Sequence, residues 1–132
     1  MHSDLILLIG RVLAASLFFT SGTQMVLNSD ATMNYIISHG LPWVELAYCS
    51  TVAILLLGSF SLFIGCGTRI AALALGLFVI TAAIVFHHEV SILQERQLFF
   101  SNLAISGGLF CFITTGAGRL SIDFWISHRL KP

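Results

Sequence analysis

Arg69-Ile-Ala-Ala-Leu-Ala-Leu-Gly-Leu-Phe-Val-Ile-Thr-Ala-Ala-Ile-Val-Phe-His87 holds no ionisable group between its two ends. As an α-helix rising about 1.5 Å per residue, it matches the roughly 30 Å of hydrocarbon in a bilayer. Runs of the same kind occupy 5–27, 42–65 and 98–115. These four spans take up most of the chain, which predicts an all-α integral membrane four-helix bundle, a single transmembrane domain over 1–132. Helix punctuation agrees. Pro42 suits a first turn, Thr68 is placed to N-cap the third span, and Gly65 and Gly116 are placed to end the second and fourth.

The rest of the composition points the same way. Of 132 residues, 57% are hydrophobic and 9% charged, against about 25% charged in an ordinary soluble domain. The mean hydropathy is +0.95. A formal net charge of zero, with arginines scattered along the chain, leaves no basic stripe for nucleic acid. Cys49, Cys66 and Cys111 form no CxxC pair and are expected to be small packing residues. The first apolar run lacks a positive flank and is interrupted by Arg11, which predicts a retained span instead of a cleaved signal.

Arg11, Arg69, Arg119, Arg129 and Lys131 fall at one end of such a bundle, and Arg96 alone at the other. The positive-inside rule then predicts that both termini are cytoplasmic. Arg11 is expected to snorkel or to pair with an acidic group such as Asp123. The tail 119–132 mixes aromatic and basic residues and reads as a short interfacial segment.

Small or polar residues recur at helical spacing on every span. The pattern predicts packing faces of Arg11, Ala15, Phe18, Gly22 and Met25 on the first span, and of Ala72, Gly76, Val79 and Ala83 on the third. On the second it predicts Glu45, Cys49, Val52, Leu56 and Ser59, and on the fourth Gln97, Ser101, Ala104, Gly108, Cys111 and Thr115. Polar groups gather at the non-cytoplasmic end, where His39, Trp43, His87, His88, Glu89, Gln94, Gln97 and Asn102 join Glu45.

His39, His87, His88, Glu45 and Glu89 raise the question of a metal or haem. The adjacent histidines diverge by about 100° on a helix, and no HExxH or i,i+4 histidine pair exists, so no metal site is expected. A quinone site asks for less: an apolar slot, donors for carbonyl oxygens, and a proton-exchanging group near the surface. Gln97, Asn102, His87 and Glu45 are the candidate cofactor-binding residues. No nucleophile and base constellation, phosphate loop or dinucleotide fingerprint is present, so catalysis by this chain alone has no support in the sequence.

Gly10-Arg11-Val12-Leu13, Phe18-Phe19-Thr20-Ser21-Gly22, Gly40-Leu41-Pro42 and Gly65-Cys66-Gly67-Thr68-Arg69 occur in that order, followed by Phe86-His87-His88, Phe100-Ser101-Asn102 and Gly116-Ala117-Gly118-Arg119. Together they resemble the DoxX family of small membrane proteins along nearly the whole chain. The resemblance implies a multi-pass protein of the bacterial inner membrane, linked to quinone-dependent sulfur oxidation and respiratory electron transfer. Met25, Leu55 and Ser101 depart from the family pattern, standing where related sequences often carry ionisable groups. The expected role is an accessory or quinone-contacting component of a membrane redox, or oxidoreductase, system with a membrane or peripheral redox protein as partner. The alternative is a noncatalytic scaffold or assembly subunit whose small-residue faces dock a partner or a second copy as a homo-oligomer. A transporter ranks behind both, for want of an internal repeat or broken helix.

Overall fold

The computed structural model describes residues 2–89 and 91–129. Lys131, counted above among the basic residues, and the tail beyond 129 lie outside the described residues. Six helices follow one another: α1 (His2–Leu27), α2 (Ser29–Ser38), α3 (Val44–Ile64), α4 (Thr68–Phe86), α5 (Leu93–Thr115) and α6 (Ile122–Arg129). Four of them, α1, α3, α4 and α5, are long and apolar enough to cross a membrane. Helices satisfy their own backbone polar groups, as hydrocarbon demands. α1 packs along α3 and α5 along α4, and contact between α3 and α4 joins the two pairs. Both termini therefore lie at one end, here called proximal. α2 and the α4–α5 connection form the distal end.

The span boundaries shift from those expected. The helix expected over 42–65 starts at Val44, because Trp43 adopts a left-handed conformation with φ 55° and leaves Pro42 outside. The one expected over 98–115 starts at Leu93, since Gln94, Glu95, Arg96 and Gln97 add a polar turn above the apolar run. The spans at 5–27 and 69–87 become His2–Leu27 and Thr68–Phe86. The short helix α2 has no counterpart in the expectation.

Two packing faces match the sequence pattern. Arg11, Ala15, Phe18 and Gly22 are buried on α1, and Ala72, Gly76, Val79 and Ala83 on α4. The other two are rotated. On α3 the buried residues are Leu55, Gly58, Ser59 and Leu62, while Glu45 and Cys49 are exposed. On α5 they are Ser106, Leu109 and Phe112, while Gln97, Ser101, Ala104, Gly108, Cys111 and Thr115 all face outward.

The reason lies in how α4 and α5 interlock. A Cβ on Gly76 would come within 2.5 Å of the Phe110 ring, so the small residue of α4 receives a large one of α5. Ser106 Oγ donates to the Gly76 carbonyl at 3.2 Å from the same face. Where lipid hides apolar surface equally well, such close van der Waals and polar contact is what selects the packed face. Cys49 and Cys111 are exposed and Cys66 half-buried, all three as free thiols, so only Cys66 is partly packed.

A knot of long-range hydrogen bonds closes the proximal end. Arg11, fully buried at 0% exposure, does not snorkel. Its guanidinium donates to the carbonyls of Leu62 at 3.4 Å and Leu120 at 2.5 Å. Gly65 ends α3 with φ 70°, donating to the Ser61 carbonyl at 2.9 Å. A side chain there would collide with Arg11 Nη1. Thr68 does not cap α4 as expected. It begins the helix behind Gly67, and the capping oxygens come from Asp123, which accepts from Gly67 N–H at 2.7 Å and Thr68 N–H at 3.1 Å. Asp123 N–H returns a bond to the Gly65 carbonyl at 2.9 Å, and Asp4 accepts from Arg119 N–H at 3.0 Å. Asp123 thus reaches Arg11 only through its field, without direct pairing.

Loss of a capping carboxylate costs about 0.5–2 kcal/mol. Asp123→Ala is therefore expected to lower the thermal midpoint in detergent. Gly65→Ala, which adds left-handed strain to the collision with Arg11, is expected to lower it further, as followed by circular dichroism.

Candidate functional site

The distal half does not close. Between the spans and beneath α2 lies a cavity of about 320 Å³, close to the lower end of the range for small-molecule sites, about 300–1,000 Å³. α1 contributes Phe18 and Met25 to its wall, α3 Leu55, α4 Phe78 and Val79, and α5 Ile105. Met25 and Leu55, both noted in the sequence, face this space. The surface is mostly apolar, with hydroxyls from Ser21, Thr32 and Thr51 interspersed.

Polar groups converge on the rim. α2 delivers Tyr35, whose ring stacks on Phe86 with centroids 5.3 Å apart, and His39, whose ring meets Phe86 edge-on at 4.9 Å. The α2 register holds the pair together: His39 Nδ1 lies 2.9 Å from the Tyr35 carbonyl, one helical turn back. His87, the residue at which α4 ends, lines the cavity and lies with Nδ1 2.8 Å from Glu95 Oε2. The side chains of His87 and Glu95 are 20% and 31% exposed, so this pair sits between cavity and surface. Burial, and then the charge of Glu95, push the Tyr35 phenol above its ordinary value, so it remains a neutral hydroxyl.

Of the four candidates from the sequence, His87 and Asn102 line this cavity. Glu45 lies exposed in the first turn of α3 and Gln97 exposed on the outer face of α5, and neither lines it. Two further rim residues, Tyr35 and Glu95, were missed. Tyr35 sits on a helix too polar and short to register as a span. Glu95, in the first turn of α5, meets His87 across the connection from α4, a contact that no single-helix pattern contains. Among the described residues no three His, Cys, Asp or Glu side chains come together as a metal site would require.

A bundle knotted at one end and enclosing an apolar, polar-rimmed cavity at the other defines a small multi-pass membrane protein. The chain belongs to the DoxX family, whose model matches residues 6–88. It is similar to the inner membrane protein YqjF of Escherichia coli strain K12, with 31% identity over 122 residues covering 91% of each chain. It is also similar to the inner membrane protein YphA of the same organism, at 25% identity over 123 residues, covering 89% of this chain and 88% of that one. No solved structure matches. Four apolar helices and two inner-membrane relatives make this a multi-pass inner-membrane protein.

A partly exposed hydrogen-bonded pair of this kind contributes up to about 1 kcal/mol. A double-mutant cycle with His87→Ala and Glu95→Gln, read by thermal unfolding, is expected to give a favourable coupling of that order. The pair formed by His87 and the exposed Gln97 is expected to give none.

Proposed function

We propose that the distal cavity receives the head of a quinone, or an apolar redox carrier of that chemistry, and that the chain serves as the quinone-contacting component of a membrane redox system. The observation that supports this is the meeting of an apolar cavity with His87, hydrogen-bonded to Glu95 at its rim. The mostly apolar wall suits a ring with an isoprenoid tail. The amide of Asn102 and the neutral hydroxyl of Tyr35 are hydrogen-bond donors for carbonyl oxygens, which an apolar wall alone would leave unsatisfied. His87 is suited to hold or pass a proton at its ring nitrogens, with Glu95 fixing Nδ1 and the surface close by. A quinone, when bound, supplies two-electron, two-proton redox chemistry. The electrons would come from a membrane or peripheral redox protein as partner. The surplus of arginine at the proximal end supports a cytoplasmic position for both termini, with the cavity toward the opposite face.

A second reading draws on the outward face of α5. Cβ atoms added at Gly107 and Gly108 would meet nothing within 4 Å, so packing within the chain does not call for glycine at either position. A partner helix approaching closely would. This favours a docking or assembly role, which is compatible with the cavity.

Titration of the purified protein with a short-chain quinone is expected to saturate, with Asn102→Leu and His87→Leu each weakening binding by about tenfold through loss of a buried hydrogen bond. Absence of saturable binding, or affinity in both variants equal to that of the unaltered protein, would contradict the site. If instead Gly108→Ile abolishes a crosslinked complex while Asn102→Leu leaves membrane electron transfer unchanged, the docking reading prevails.

A further inference from the structure

The proximal end holds a second cleft, of about 500 Å³, between the start of α4, the α5–α6 connection and α6. Independently of the distal cavity, we infer that it seats the headgroup of an anionic phospholipid, with Arg69 as the residue that recognises the phosphate.

Arg69 is exposed beside the cleft and, among the described residues, has no carboxylate within salt-bridge distance. Among the described residues its polar contact is a long bond from Nη2 to the Thr114 carbonyl, 3.5 Å, which leaves most of its five N–H donors available. The one carboxylate lining the cleft, Asp123, is committed: one oxygen accepts from Gly67 N–H and the other from Thr68 N–H. The start of α4 is thus already capped, and among the described residues Arg69 is the cation that lines the cleft. A second guanidinium, that of Arg119, lies 5.5 Å from the centre of the Phe124 ring, which forms part of the wall.

The depth is also right for a headgroup. α4 begins and α5 ends beside the cleft, so it lies where two spans leave the hydrocarbon. Ile70, widely exposed, turns one wall toward the lipid tails, while Ser121 and Ser127, whose hydroxyls donate to the Gly118 and Phe124 carbonyls, add polar lining. On α6, Arg129 lies 4.0 Å from the Trp125 ring centre, an aromatic and basic pairing suited to the interface. Basic pockets at the ends of membrane helices hold anionic headgroups by this combination of charge and apolar wall.

The test uses the full chain in nanodiscs of mixed phosphatidylglycerol and phosphatidylcholine, with the lipids retained after gentle detergent release read by native mass spectrometry. Phosphatidylglycerol is expected to be retained over phosphatidylcholine by about fivefold, the share of one surface arginine. Arg69→Gln and Ser127→Glu, the second leaving the arginine in place but opposing it with a carboxylate, should each remove the preference, while Arg96→Gln at the distal end should keep it. Equal retention of the two lipids by the unaltered protein, or an undiminished preference in both cleft variants, would overturn the inference. Displacement of phosphatidylglycerol by millimolar inorganic phosphate would overturn the lipid as the occupant and assign the cleft to free phosphate.

Discussion

A guanidinium removed from water has to find oxygen atoms inside the protein, and this requirement organises the proximal half of the molecule. Arg11 finds them on the carbonyls of Leu62 and Leu120, at the last turn of α3 and just before α6. Leaving a buried charge uncompensated would cost several kcal/mol, so α1, the end of α3 and the tail must stay together. Gly65 has no side chain because Arg11 occupies that space. Asp123, close enough to act on Arg11 electrostatically, bonds to the backbone that opens α4. The tail therefore completes two helix ends that come much earlier in the chain.

With one end fixed in this way, the other is free to remain open. α2 has its main contact with α3 and forms a cap over the distal space without filling it. α1 and α5 meet nearer the proximal end, where a Cβ on Gly10 would lie 3.2 Å from the Phe112 ring. Above that level the cavity separates Phe18 and Met25 from Asn102 and Ile105. Rigidity below and space above is the arrangement by which a small bundle can hold a ligand without losing its fold.

The spans were legible because length and hydropathy measure the same property to which the bilayer responds. The buried stripes of α1 and α4 were legible because Arg11, Ala15, Phe18 and Gly22 on one, and Ala72, Gly76, Val79 and Ala83 on the other, recur at helical spacing. α5 carries small residues around more of its circumference, and spacing alone cannot say which side faces inward. That choice depends on Phe110 meeting Gly76, a contact between helices that no single-helix pattern contains. Arg11 and Asp123 were legible as a potential pair, but the carbonyls and N–H groups that they bind belong to a turn whose shape appears only after folding. At the candidate site His87 and Asn102 were legible as polar residues beside the distal boundary. Tyr35 and Glu95 were not, because one depends on the fold of a short polar helix and the other on a turn that brings it back to His87.

The central claim is that the distal cavity is a ligand site and not a packing defect. A structure determined with native membrane lipids retained tests it most directly. The account predicts elongated non-protein density between Tyr35, His87 and Asn102, with its tail reaching the lipid. A distal half in which α1 has closed onto α5 and no space remains would contradict it.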